Sequence, residues 1–285
     1  MTHSSDDAAL LAAMTRVTLE AGRLAMAFFK SGERTSASVE SKHGGSPVTE
    51  ADFAVDRFLR PALSALIPDA GWLSEETTDT DERLGRSRVF VVDPIDGTRA
   101  FIKGDPRWAV SVALVEEGQP RFAVLHLPAL TETFGAIAGR GATLNEVPIR
   151  ASSRPSLTGA RLAGPPKMLD SLRHSGLDFE SMPRVPSLAY RLALVADARL
   201  DVSLASTNAY DWDIAAADLL LRESGARLAG LDGRQPVYNA AEPRHGVLTA
   251  APDQLGPELV RVLLQSSNDA KASGEISVSR MNRPG

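Results

Sequence analysis

Between residues 6 and 30 apolar side chains return every three or four positions, at Leu10, Leu11, Met14, Val17, Leu24, Phe28 and Phe29. That spacing predicts an amphipathic helix, with Ser4, Ser5 or Asp6 available as its cap. The polar, glycine-rich stretch "SGERTSASVESKHGGSPVT" reads as a strand-poor loop. A second helix is expected over 50–66, ending before Pro68. "RVFVVDPIDG" is then a short β-branched run, the pattern of a buried strand. "WAVSVALVEEGQPRFAVLHLPALTETFGAIAG" predicts successive strands, with turns at Glu117-Gly118 and near Pro128. "GRGATLNEVPI" adds a hairpin-like piece. Polar "ASSRPSLTG", at 151–159, is the expected domain boundary.

Beyond it the rhythm changes. "ARLAG" reads as a strand, "PKMLDSLRHSG" as a helix, and "SLAYRLALVADARLDVSLA" as a helix feeding a strand. "DIAAADLLLRESGARLAG" is a helix ending at Gly225 and followed by a strand; "HGVLTAAP" is a strand, and "PELVRVLLQ" a closing helix. Alternating helices and strands indicate an α/β layer arrangement, with an α+β N-terminal half. The expected organisation is 1–150 as an α+β domain, 151–265 as an α/β domain, and 266–285 as a polar, disordered tail.

Composition narrows the function classes. The chain has 285 residues, enough for one large or two modest domains, with 43% hydrophobic and 24% charged residues. The net charge is −5, so a general nucleic-acid or membrane-surface role is not expected. Cysteine is absent, which removes disulfides, thiolate metal sites and a cysteine nucleophile. It also fits a cytoplasmic protein. The start "MTHSSDDAALLAAMTRV" lacks the pattern of a secretory leader. No apolar run reaches the length of about 18 residues that a membrane span needs.

The candidate chemistry lies in acids near strand ends and turns: Asp52, Glu75, Glu76, Asp93, Asp96, Asp211 and Asp213. Asp93 and Asp96 close a buried strand, and the Pro94-Ile95 turn would let both face one side. Hard divalent cations take oxygen ligands of this kind, and a cation would offset the like-charge repulsion. Gly97 and Thr98 could then offer free N–H groups to an anion beside it. Simpler readings exist for each piece. D-P-x-D-G makes an Asx-type turn, paired acids such as Glu75-Glu76 are commonly solvated, and an Asp before a helix is commonly its N-cap.

The motifs in order decide between these readings. "SPVTEAD" (46–52), "LSEET" (73–77), "VVDPIDGTRAF" (91–101), "GRGATLNEVPI" (139–149) and "YDWDIAAADLLLRESGA" (210–226) together resemble the inositol monophosphatase superfamily of magnesium-dependent, lithium-sensitive phosphatases. The resemblance runs over about 6–265. It implies a layered αβαβα sandwich, commonly dimeric, acting on a small phosphorylated metabolite. It also implies two to three Mg2+ ions. Glu75, Asp93 and the Ile95 carbonyl would hold the first, and Asp93, Asp96 and Asp213 the second. A third would lean on Glu75 through water. Asp52 and Thr98 would orient the attacking water, and Asp96, Gly97 and Thr98 would meet the phosphate. No covalent nucleophile is then needed, so Ser74, Ser111 and the histidines are read as non-nucleophilic, with His126 structural.

The resemblance divides on the substrate. Inositol-specific members carry a Glu upstream of the W-D aspartate, at the position held here by Ser206. "SEE" and "DGTRAFIKGDPRWAVSVAL" look closer to bacterial 3′(2′),5′-bisphosphate nucleotidases, which convert phosphoadenosine phosphate to AMP. Inositol-1-monophosphatase and histidinol-phosphatase are the alternatives within the class, and a non-catalytic interaction protein the alternative outside it. Arg99, Lys103 and Arg107 could assist a second phosphate or lie in a solvated loop. Ala217 and Glu146 depart from the family's usual glycines without touching a metal ligand.

Overall fold

The computed structural model describes residues 3–42 and 45–272. Helix α1 (His3–Met26) is followed by β1 (Val39–Ser41), β2 (Pro47–Thr49), α2 (Glu50–Ser64) and β3 (Gly71–Ser74). Next come β4 (Arg88–Asp96), the short α3 (Thr98–Lys103), and strands β5 (Ala109–Glu116), β6 (Gln119–Leu127), β7 (Glu132–Ile137), β8 (Ala142–Leu144) and β9 (Val147–Ile149). The second half holds β10 (Ala160–Ala163), α4 (Pro166–His174), β11 (Phe179–Ser181), α5 (Leu188–Ala196), β12 (Val202–Ala205) and β13 (Ala209–Tyr210). It ends with α6 (Asp211–Ser224), β14 (Ala226–Gly230), β15 (Arg244–His245), β16 (Leu248–Pro252) and α7 (Gly256–Ala272).

Strands β3 to β9 pair in chain order as a seven-stranded sheet, antiparallel except for the parallel β3–β4 pair. A five-stranded sheet has the order β11-β10-β12-β16-β14. Strand β4 shows why layers form on both sides. Phe90 and Val92 pack with Met14, Val55 and Leu59 of α1 and α2, whereas Val89 and Val91 pack with α5 and α6 residues such as Leu192 and Leu220. A period of two with both faces buried produces the unbroken apolar run seen in the sequence. Leu228, Leu248 and Ala250 of the smaller sheet close the same core from the far side of α5 and α6. Its outer face packs on α4 and α7 through Leu169, Leu172, Leu259 and Leu263. The result is the expected αβαβα sandwich. No helix among the described residues is long and apolar enough to cross a membrane.

Several local expectations need correction. The first helix stops at Met26, not 30; Phe28 and Phe29 still pack into its core because the chain folds back beneath them, with the Ser36 N–H donating to the Phe28 carbonyl. The stretch read as a strand-poor loop carries the short antiparallel pair β1–β2. Such a short pair holds no apolar run to announce it. The second helix ends at Ser64 and accommodates Pro61 in its last turn. Helix α7 continues to Ala272, past the expected end at 265, and the rest of the expected tail, 273–285, lies outside the described residues. Glu146 and Asn145 both occupy the left-handed region, at φ 67° and 48°, so the β8–β9 turn keeps its shape without the usual glycine.

Candidate active site

Alternation along a regular strand would put Asp93 and Asp96 on opposite faces. The pairing of β4 with β5 passes from Asp93–Ser111 to Asp96–Ala109, three steps on one strand against two on the other. This bulge turns both carboxylates to the same side. Pro94, which has no N–H to donate, sits within it. Asp93 Oδ1 accepts the Ile95 N–H at 3.0 Å, so the Asx-type turn is real and is part of how the site is built. Gly97 follows at φ 96°, where an added Cβ would lie 3.3 Å from both the Arg107 carbonyl oxygen and Ser187 Cβ. Only glycine fits that corner. Helix α3 begins at the next residue.

Asp213 arrives from the first turn of α6. It is not the N-cap: it is the third helical residue, reaching back to accept the Tyr210 N–H at 2.6 Å. Asp93, Asp96 and Asp213 each place a carboxylate oxygen within 4.8 Å of the others. Glu75, Gly97 and Thr98 line the same cleft, which measures about 170 Å³. Asp52 stands behind it at the start of α2, accepting the Thr49 N–H at 2.7 Å and the Thr49 hydroxyl at 2.6 Å. Thr98 Oγ1 lies 3.1 Å from the Ile95 carbonyl oxygen and 3.4 Å from Asp52 Oδ1, joining the two motifs.

Glu75 is brought to the wall but not into the three-carboxylate group. Its carboxylate meets Lys42 Nζ at 2.8 Å. Glu76 is not solvated: its side chain is 3% exposed and binds the same ammonium at 2.6 Å. Asp211 points elsewhere, to His245 Nε2 at 2.7 Å and the Asn239 N–H at 2.8 Å, anchoring the start of α6. Ser74 donates to Asp56, and His126 Nδ1 is 2.9 Å from Thr133 Oγ1, with burial lowering its pKa. Arg107 is clamped by Asp105, and Lys103 sits at the far end of α3. Of the three basic residues after the β4 motif, Arg99 alone lines the cleft.

Ser187 was not anticipated from sequence. Its hydroxyl donates to Asp96 Oδ2 at 2.5 Å, and the Leu188 and Ala189 N–H groups donate to the same carboxylate at 3.2 and 2.6 Å. Asp96 thereby caps α5 from the other half of the chain. A serine ahead of an apolar helix marks an N-cap, but nothing local reveals a partner 91 positions away. Lys42, Asp56 and Arg184 carry no sequence pattern at all.

Electrostatics distinguish this cluster. Burial, then Glu75, Asp96 and Asp213, raises the Asp93 pKa well above its ordinary value. Burial, then Asp96, does the same to Asp213 despite the Tyr210 N–H. Asp96 is raised to about 6 by burial, with the Ser187, Ala189 and Leu188 bonds opposing. Burial raises Glu76 to about 7, because one lysine cannot compensate two neighbouring carboxylates. Among the described residues none of Asp93, Asp96 and Asp213 has an ion pair. A donor set made wholly of carboxylate and carbonyl oxygens, short of positive charge, fits a hard divalent cation such as Mg2+.

The inositol monophosphatase family profile matches residues 10–267. The histidinol-phosphatase of Chlorobaculum parvum is 30% identical over 88% of this chain and 95% of its own length. The 3′(2′),5′-bisphosphate nucleotidase CysQ of Aggregatibacter actinomycetemcomitans is 31% identical, covering 82% and 88%. The extragenic suppressor protein suhB of Bartonella henselae superposes with a TM-score of 0.78 at 27% identity, over 90% of this chain and 98% of that one. The chain belongs to the inositol monophosphatase family. It is a magnesium-dependent phosphatase, a phosphoric monoester hydrolase.

Proposed function

We propose that the chain removes the 3′-phosphate of a 3′(2′),5′-bisphosphate nucleotide, with phosphoadenosine phosphate going to AMP. The observation that carries the phosphatase chemistry is the convergence of the buried Asp93 and Asp96 carboxylates with that of half-buried Asp213, none of them in an ion pair, beside the Gly97–Thr98 corner. In this reading Asp93, Asp96, Asp213, Glu75 and the Ile95 carbonyl hold two to three Mg2+ ions. Bound magnesium acidifies water and neutralises phosphate oxygens. The chain's own groups do the positioning. The attacking water donates to Thr98 Oγ1, and Thr98 donates to Asp52 Oδ1, 3.4 Å away. Burial raises Asp52 to about 6, which suits a group that receives a proton during turnover. The N–H groups of Gly97 and Thr98 donate to the phosphate oxygens, with Asp96 beside them acting through the cation it would hold.

Two facts support the nucleotide reading. Ser206 is exposed and uncharged, so the loop after β12 offers no carboxylate to ring hydroxyls. One of the relatives with broad coverage is a nucleotidase. Histidinol phosphate is the second reading, favoured by the relative covering 88% of the chain. A panel of phosphoadenosine phosphate, inositol 1-phosphate, histidinol phosphate and fructose 1,6-bisphosphate, compared by kcat/KM with and without magnesium, tests this. Phosphoadenosine phosphate is expected first. A different leader replaces the nucleotide reading, and no magnesium-dependent release removes the site assignment. The family resemblance also supports a homodimer, which light scattering measures directly.

A further inference from the structure

The cleft has a second character, because Arg99 and Arg184 line it along with the acids. Both are exposed. Among the described residues neither guanidinium makes a hydrogen bond or ion pair. That sets them apart from Arg107, Arg161, Arg199 and Arg222, each of which spends its guanidinium on a carboxylate.

The backbone beneath Arg184 is held with care. Arg107, itself clamped by Asp105, donates from Nη1 to the Arg184 carbonyl at 2.9 Å. The half-buried Arg191 donates from Nη1 to the Val185 carbonyl at 3.2 Å. Two residues on, Ser187 and the amides after it grip Asp96. Residues 184–189 are therefore fixed relative to the carboxylate cluster, while the Arg184 side chain is left without a partner. Arg99 sits in the first turn of α3, next to Thr98. A guanidinium on preorganised backbone recognises an oxyanion through paired, charge-assisted hydrogen bonds.

We infer that Arg99 and Arg184 receive a second anionic group on the leaving portion of the substrate, and that they set the preference for an ester carrying a second phosphate. This rests on the reading that the hydrolysed ester lies on the carboxylate cluster. It goes further by assigning the second phosphate to two named residues.

The test compares adenosine 3′,5′-bisphosphate with adenosine 3′-monophosphate on the full chain with magnesium. Wild type is expected to prefer the bisphosphate. Arg184→Ala and Arg99→Ala should each lower kcat/KM for the bisphosphate about tenfold, mainly through KM, as expected for a lost charge-assisted contact. The monophosphate should change by less than about twofold, since it lacks the group they bind. Arg184→Lys should recover part of the loss, and Lys103→Ala, outside the cleft, should leave both substrates unchanged. Equal losses on the two esters, or a wild type without preference, overturn the inference while leaving the phosphatase reading standing. Release from neither ester overturns the inference together with the nucleotide reading.

Discussion

Asp201 and Asp218 are buried as deeply as Asp93 and Asp96, at 1% and 0% exposure against 1% and 6%, yet each of the first two meets an arginine. Asp218 also accepts the Tyr238 hydroxyl at 2.8 Å. Asp201 accepts the Arg161 backbone N–H at 2.8 Å as well as its guanidinium. Burial works to raise the Asp201 pKa, but the Arg161 bonds outweigh it and leave it lowered to about 2. Asp93 has no such ion pair and moves the opposite way; Asp218 is also raised, because there burial outweighs Arg222. Residue type and depth are shared, so the missing counter-charge is what separates a binding site from a structural strut. A buried acid with an arginine serves the fold; three without one make a place that a cation completes.

The largest test of that contrast is Asp93→Asn. It removes a charge from the crowded group and an oxygen donor from both expected ions. Turnover should fall by at least about a thousandfold with magnesium present. The metal-free protein should become more stable, because like-charge repulsion and the burial of a carboxylate are both relieved. A gain of about 1 kcal/mol would raise the melting temperature by roughly 2–4 °C. Steady-state kinetics and metal-free melting curves read the two effects separately. Activity within a few-fold of wild type would break the comparison at its root.

Glu75 and Glu76 supply a finer version within one loop, because a single lysine binds both. Glu75 lines the cleft and Glu76 does not. Glu75→Gln is therefore expected to cost about a hundredfold in kcat/KM and to weaken magnesium binding, as loss of a ligand does. Glu76→Gln should cost less than about fivefold, since it changes only the partner of Lys42. Magnesium titration of each variant checks the assignment. Equal losses would mean that the two acids act as one unit through Lys42.

Asp201→Asn tests the structural side. Arg161 and Arg154 would lose their anion, and stability should drop by about 1–3 kcal/mol in denaturant titrations. Activity per folded molecule should not change. The pH dependence has a definite sign. The folded pKa is about 2, below the unfolded value of about 4, so this contribution is complete above pH 4 and is lost as pH falls through 2. In the variant that part of the acid sensitivity should vanish.

These acids also show what the sequence can carry. Asp93, Asp96 and Asp213 were readable as a set through the motif order that resembles the family; the run before Asp93 and the helix after Asp213 placed each on its element, but by themselves left seven candidate acids open. The layered fold was readable for the same reason, since period-two and helical patterns persist wherever a face is buried. The bulge was not, because it arises from how β4 pairs with β5 and leaves no residue pattern beyond Pro94. The tie from Ser187 to Asp96 and the grip of Lys42 on Glu75 are tertiary contacts between distant segments, and no local period encodes them. Glu76 was misplaced as solvated because burial of a loop acid depends on what folds over it, here Lys42.

The smallest effect closes the contrast, because pairing without burial should count for little. Arg227 and Asp253 approach to 3.1 Å, much like Arg161 and Asp201, but their side chains are 54% and 57% exposed. Water already solvates both charges, and salt screens what attraction remains. Asp253→Asn is expected to shift stability by less than about 0.5 kcal/mol, and less still at high ionic strength. Compared in one denaturant series, Asp201→Asn and Asp253→Asn separate the two ingredients. If both cost the same, the arginine alone would explain the structural acids. If only the buried one costs, desolvation sets the scale, and the unpaired cluster at the end of β4 is correspondingly strained until a cation arrives.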